Sequence, residues 1–332
     1  MLTLVIAVIA LALLFDFLNG MNDAANSIAT VVSTGVLSPK LAVAWAAMFN
    51  FIAAFGFGVK VATTVGRGIV HIDIVDPWLI LAALVGAVAW THLCTRMGLP
   101  ISVSHALIGG LAGAGVAKAG WNALVVSGVV KVAAFIVLSP LIGMVLGFVL
   151  MVAVYWIFQR TRVQSVDRMF RIGQLVSSGA YSLGHGLNDA QKTMGIITVL
   201  LFSTGYLKGE FHVPIWVILT CYSVISLGTL TGGWRVVHTM GVRLTKLRPV
   251  NGFCAETAGA ISLFIASFAG IPVSTTHTIA GSIAGVGSTT RLSAVRWGVA
   301  SRIVWAWVLT LPTTALVGAG VWWIIHELVI TI

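Results

Sequence analysis

Two short stretches hold most of the chemistry this sequence could perform. Gly20-Met21-Asn22-Asp23-Ala24-Ala25-Asn26-Ser27 and Gly186-Leu187-Asn188-Asp189-Ala190-Gln191-Lys192-Thr193 each set an Asn-Asp pair among small and polar residues, in otherwise apolar surroundings. Asp, Asn and Ser side chains offer oxygen ligands to a cation, and they also satisfy backbone groups freed where a helix is interrupted. An acid inside a membrane is costly and by default functional. The plainer reading, an ordinary loop at a membrane surface, leaves the recurrence and the small neighbours unexplained.

A second motif also occurs twice. Pro100-Ile101-Ser102-Val103-Ser104-His105 and Pro272-Val273-Ser274-Thr275-Thr276-His277 have Pro and hydroxyl residues arranged as at a helix start, each followed by a Gly- and Ala-rich helix. Free N–H groups, a positive dipole end and hydroxyl donors together make an anion site. The alternative is a small-residue helix contact with an incidental Pro. If both motif types share one site, a carboxylate 4 Å from an anion is repelled by about 4 kcal/mol at an effective dielectric of about 20. A cation or proton must then lie between them, which points to coupled transport of an anion and a cation.

Other candidates are single residues. Glu256 lies within an apolar segment and reads either as a cation ligand or as a buried interface acid. Lys192 stands where the first motif has Asn26, and it either contacts the anion or locks a structural pair. His105 and His277 recur at matching positions, with a helix-stabilising hydrogen bond and proton transfer equally open. His92, His185 and His238 read as structural. Trp305, Trp307, Trp322 and Trp323 fit interfacial anchors.

The elements that must position these residues are membrane helices. The chain has 332 residues, 58% hydrophobic and only 8% charged, against about 25% charged in a soluble domain. Apolar runs near 20 residues recur along its length, without the alternation of a β-barrel. The expected class is an all-α polytopic membrane protein. Candidate spans fall near 2–18, 40–58, 78–95, 122–139, 141–158, 196–205, 213–230, 254–270, 294–311 and 314–330. The first 15 residues hold no charge and no basic lead, so they read as a first membrane helix and not a cleaved leader. That apolar stretch spans about 22 Å, short of a bilayer core of about 30 Å, so an interruption is expected at Asp16–Asp23.

The net charge of +10 has no soluble basic face to support nucleic-acid binding. It reads as cytoplasmic loop charge, densest at Gln159–Arg171. Cys94, Cys221 and Cys254 read as small buried apolar residues, not as disulfides or metal ligands.

The basic stretch at 159–171 divides two repeats, 1–158 and 172–332. The Asn-Asp pairs lie 166 positions apart and the Pro-x-Ser motifs 172 apart, so two unrelated motifs repeat at nearly one offset. Duplicated halves are common in secondary transporters, which hold substrate at the repeat interface.

The stretches GMNDAANS, STGVLSP, HGLNDAQKTMGI, PISVSHALIGG and PVSTTHTIAGS together resemble the inorganic phosphate transporter (PiT) family, in a compact bacterial form. The resemblance covers residues of about 10–120 and 175–290. It implies inverted repeats with broken helices and re-entrant hairpins, in a dimeric symporter of the inner membrane surrounded by lipid. By that resemblance Ser102, Ser104, Ser274, Thr275 and Thr276 line phosphate, with Asn22, Asn188, Gln191 and Lys192 beside them. Asp23, Asp189, Asn26 and Glu256 would hold the cation, with sodium at Asp23 and Asp189 as cargo and no resident metal or cofactor. Many sodium-coupled members have an acid in the second span where this chain has Asn50. Sodium, a proton and a neutral metal–phosphate complex therefore all stay open as co-substrate. Rival readings are a sulfate permease of the same fold and, less well matched, an intramembrane enzyme, which would need ligand spacings such as His-Glu-x-x-His that are absent.

Overall fold

Among the described residues, each half of the chain forms six α-helices. This computed structural model describes residues 1–56 and 58–330. Position 57 of the expected 40–58 span, and residues 331–332 at the end of the second repeat, lie outside the described residues. The first half comprises α1 (Leu2–Ser33), α2 (Pro39–Ile52), α3 (Lys60–Gly68), α4 (Pro77–Met97), α5 (Val103–Ala119) and α6 (Val126–Phe158). The second comprises α7 (Val163–Ser203), α8 (Ile215–Thr231), α9 (Trp234–His238), α10 (Pro249–Phe268), α11 (Thr275–Ser288) and α12 (Trp297–Ile325). Helix α7 begins inside the 159–171 stretch. No strand is formed among the described residues.

Among the described residues, five helices (α1, α4, α6, α10 and the α12 region) are long and apolar enough to cross a bilayer. A sixth results if α8 and the segment Trp234–Arg243, bent by 65° at their junction, count as one span. Two expected pairs of spans are single helices. Segments 122–139 and 141–158 join in α6 with Pro140 inside it, and 294–311 and 314–330 join in α12 around Pro312. A proline removes one backbone hydrogen bond and kinks a helix, but in a packed membrane bundle neighbouring groups take up the difference.

The two halves interlock. Helix α5 packs on α12 and α11 on α6, while α1 packs on α8 and α7 on α2. Each half therefore lays its short Pro-x-Ser helix against the last helix of the other half, in matching pairs. Glycine makes the approach close enough: a Cβ at Gly113 would stand 1.9 Å from the Ala315 carbonyl oxygen, and one at Gly285 would stand 2.1 Å from that of Met144. Those neighbours are backbone and cannot give way. Gly113→Leu is expected to lower the yield of monodisperse protein in size-exclusion of detergent extracts by about tenfold, since overpacking costs about 1–3 kcal/mol or more. Gly320→Leu, with nothing within 4 Å of its Cβ position, is expected to leave the yield unchanged.

The interruption expected at Asp16–Asp23 does not occur. Helix α1 runs unbroken for 32 residues and α7 for 41, straight through their Asn-Asp pairs. Asp16, Asn19, Asp23, Asn26 and Thr30 recur at helical spacing and form one polar stripe, so their partners come from neighbouring helices and no backbone is exposed. The backbone breaks lie instead at the Pro-x-Ser loops between α4 and α5 and between α10 and α11, and between α8 and α9.

Candidate functional site

The polar stripes of α1 and α7 meet the starts of α5 and α11 in the protein interior. Gly20 and Gly186, which open the two Asn-Asp motifs, let other helices come close: a Cβ at Gly20 would lie 2.1 Å from Ile225 O on α8, and one at Gly186 would lie 2.8 Å from Asn50 O on α2.

Ser102 and Ser274 are the N-caps of α5 and α11, each accepting the N–H three residues on, from His105 and His277, at 3.2 Å. That leaves the N–H groups of the first residues of each helix without an intrahelical partner, next to Ser104, Thr275 and Thr276. The starts of α5 and α11 touch each other: Thr276 Oγ1 donates to Ile101 O at 3.0 Å, and the His105 and His277 rings lie 4.9 Å apart. His277 stacks on Trp307 at 3.8 Å, and Trp307 Nε1 donates to Pro100 O at 2.9 Å. Trp307 is therefore an internal brace and not an interfacial anchor. Trp322 is buried as well, whereas Trp305 and Trp323 are exposed.

The two Asn residues brace hairpins within their own halves. Asn22 Nδ2 donates to Thr95 Oγ1 at 2.7 Å at the end of α4. Asn188 Nδ2 donates to Ser267 Oγ at 3.3 Å at the end of α10 and to Ile271 O at 3.2 Å, while its Oδ1 accepts from Val273 N at 3.3 Å. Thr95 and Ser267 are 172 positions apart, so these are one contact made twice. The residues at the next turn reach across instead. Asn26 Nδ2 donates to Thr276 Oγ1 at 2.9 Å, and Lys192 Nζ donates to Ser104 Oγ, to Asp189 and, at 2.9 Å, to Val273 O. Gln191 turns away from this site. Its Oε1 accepts from Val61 N and Ala62 N at 3.0 and 3.3 Å, and its Nε2 donates to Gly58 O, capping the start of α3.

Asp23, His185 and Asp189 form the centre, with one ligand atom from each lying within 4.8 Å of the others. All three are buried. Two charged carboxylates at that separation repel by about 3–4 kcal/mol at an effective dielectric of about 20. Their hydroxyl donors are few. Thr275 Oγ1 lies 2.9 Å from Asp189 Oδ2 but 3.4 Å from Asp23 Oδ2, and Thr276 Oγ1 lies 3.0 Å from Ile101 O but 3.2 Å from Asp23 Oδ1. Each hydroxyl has one proton to donate, and in both cases the nearer acceptor is not Asp23. Asp189 also has Lys192. Asp23 is the carboxylate left short of positive charge.

His185 was not distinguishable as a site residue by type alone. Asn50 Nδ2 donates to Thr229 Oγ1 at 3.0 Å, which turns its Oδ1 to His185 Nδ1 at 3.1 Å. That assignment puts a proton on Nδ1 and aims Nε2 at the carboxylates, 3.1 Å from Asp189 Oδ2 and 3.8 Å from Asp23 Oδ2. A lone pair among two carboxylates needs either a proton on Nε2 or a cation between the three groups. The signal in the sequence was spacing: His185 precedes Asp189 by four residues and shares its helix face.

Glu256 lies apart in a cage of its own. Thr30 Oγ1 and Gln174 Nε2 donate to Oε1 at 2.5 and 3.1 Å, and Ser177 Oγ donates to Oε2 at 2.5 Å. Asp16, also buried, accepts from Thr193 Oγ1 at 2.8 Å. The cysteines are buried and free.

Residues 19–318 match the family described as the Phosphate transporter family. The chain is 60% identical over 316 residues, 95% of each chain, to a probable low-affinity inorganic phosphate transporter of Rhizobium meliloti (strain 1021). It is 43% identical over 333 residues, 98% of each, to one of the same description from Bacillus subtilis (strain 168). Among solved structures it superposes on the sodium-dependent phosphate transporter with a TM-score of 0.88 and 26% identity, covering 98% of this chain and all of that one.

Proposed function

Because the chain belongs to the phosphate transporter family, we propose that it is a secondary symporter bringing inorganic phosphate into the cell together with a cation. The family is one of transporters and not of enzymes, which removes the intramembrane enzyme reading. The observation that carries the proposal is the convergence of Asp23 and Asp189 with the hydroxyl-lined starts of α5 and α11 in one buried site. Phosphate is held by the free N–H groups of both helix starts, by Ser104, Thr275 and Thr276, and by the amide of Asn26. The cation lies at Asp23, where donors are fewest. Neither charge is stable there alone, so the two bind together and move together.

Sodium is the favoured cation, since the structural neighbour of matching fold is named for its sodium dependence. A proton is the second reading, favoured by His185 between the two carboxylates. The site's side chains are all buried, as suits an occluded step of alternating access. We place the protein, as a homodimer of inverted repeats, in the inner membrane. The end bearing Arg168, Arg171, Arg248, Arg291 and Arg296, which line adjoining clefts, faces the cytoplasm.

In reconstituted vesicles, phosphate is expected to accumulate above its outside concentration under an imposed inward sodium gradient, or under a proton gradient if the second reading holds. Uptake indifferent to both gradients would refute symport. Sulfate at equal concentration is expected to leave phosphate uptake essentially intact, and full competition would favour a sulfate permease.

A further inference from the structure

The two halves make the same cross-contact with different chemistry. Asn26 on α1 reaches Thr276 at the start of α11; Lys192 on α7 reaches Ser104 at the start of α5. Asn26 and Lys192 are 166 positions apart and Ser104 and Thr276 are 172 apart, the offsets of the two motif pairs. The contacts are therefore equivalents under the duplication. In one the donor is a neutral amide, and in the other it is a charged ammonium.

That difference falls beside the two equivalent carboxylates. Lys192 ion-pairs with Asp189 on its own helix, and its remaining protons go to Ser104 Oγ and Val273 O. All three of its donors are thus used, on α7 and on both Pro-x-Ser loops. The side chain is buried. At the equivalent position Asn26 brings no charge to Asp23, whose hydroxyl neighbours both have nearer acceptors. His185 Nε2 is the basic group facing Asp23, at 3.8 Å, but it lies nearer Asp189, at 3.1 Å. A buried carboxylate without a close counter-charge is costly enough that it must recruit one.

We propose that Lys192 is a tethered cation: its ammonium fills, at Asp189, the place that an exchangeable cation takes at Asp23. The protein then carries one cation fewer per cycle than its two aspartates would otherwise require, and Lys192 sets that stoichiometry. The inference rests on the symport reading above. A fixed ammonium also keeps Asp189 neutralised throughout the cycle, so phosphate binding at this end does not wait for a second ion.

The test is a count of sodium ions bound by the purified, detergent-solubilised chain, using radioactive sodium in a scintillation proximity assay with phosphate present. Wild type, Lys192→Arg, Lys192→Asn and Lys192→Gln are compared. Lys192→Asn and Lys192→Gln are expected to bind one more sodium per chain than wild type, and sodium is expected to raise their melting temperature more than it raises that of wild type. Lys192→Arg, which keeps the charge, is expected to match the wild-type count. An unchanged count in both neutral variants would overturn the proposal. So would loss of both neutral variants from the membrane while Lys192→Arg persists, because Lys192 would then be a structural lock. Phosphate uptake by wild-type vesicles is measured alongside. Its absence would refute the symport reading, while the sodium count would still decide the role of Lys192.

Discussion

Asp23→Asn is expected to abolish concentrative phosphate uptake, so that the ratio of inside to outside phosphate under an imposed cation gradient falls to unity. The substitution keeps the shape of the side chain and removes the charge. Thr275 and Thr276 can rotate their protons elsewhere, since each already has a nearer acceptor, so the variant is expected to reach the membrane folded. Asp189→Asn is expected to behave differently. It strands the Lys192 ammonium in the interior, and breaking a buried pair by removing one partner costs about 3–5 kcal/mol. This variant is expected to lose folded protein as well as transport. Adding Lys192→Met to it should restore monodisperse protein, because the unpaired charge goes, but not uptake. Normal accumulation by Asp23→Asn would show that the coupling cation binds elsewhere. Equal folded yields for the two single variants would show that Asp189 and Lys192 are not the buried pair described here.

How far the sequence reached depended on whether a feature was carried by composition or by packing. The helical membrane class was legible because 58% hydrophobic residues in long apolar runs need no tertiary information. The unbroken paths of α1 and α7 were not legible. Whether a run of polar residues ends a membrane helix depends on lateral partners, and those come from α4, α11 and the facing helix of the pair. Taking α7 as one helix would have separated its motif residues by angle. Lys192, three positions after Asp189, and His185, four before it, share its face, whereas Gln191, two positions on, points about 200° away. Gln191 accordingly caps α3, and His185 faces the carboxylates. Ser102 and Ser274 were recognisable as helix-start residues, but their use as N-caps engages the oxygens that were expected to face phosphate. The pairing of α5 with α12 and of α11 with α6 depends on backbone approach at Gly113 and Gly285. A sequence shows such glycines without showing which helix they receive.

Glu256 offers the other large expected effect, because its cage makes two roles separable. A carboxylate has about four acceptor positions. Thr30 and Gln174 occupy two on Oε1 and Ser177 one on Oε2, leaving a single position open. Glu256→Ala strands three buried donors, and each unsatisfied group costs about 1–3 kcal/mol. That sum is comparable with the whole stability of a typical domain, about 5–15 kcal/mol, so folded protein is expected to disappear from detergent extracts. Glu256→Gln retains the shape and one acceptor oxygen, and the hydroxyls of Thr30 and Ser177 can rotate to accept from its amide. It is expected to fold. If the open position on Oε2 serves a cation, removing the charge should raise the cation concentration for half-maximal uptake at least about tenfold, equivalent to about 1.4 kcal/mol, with the half-saturating phosphate concentration unchanged. A folded Glu256→Gln protein with wild-type cation dependence would make Glu256 a structural acid that pins α10 to α1 and α7. That would leave Asp23 as the candidate coupling carboxylate in this chain.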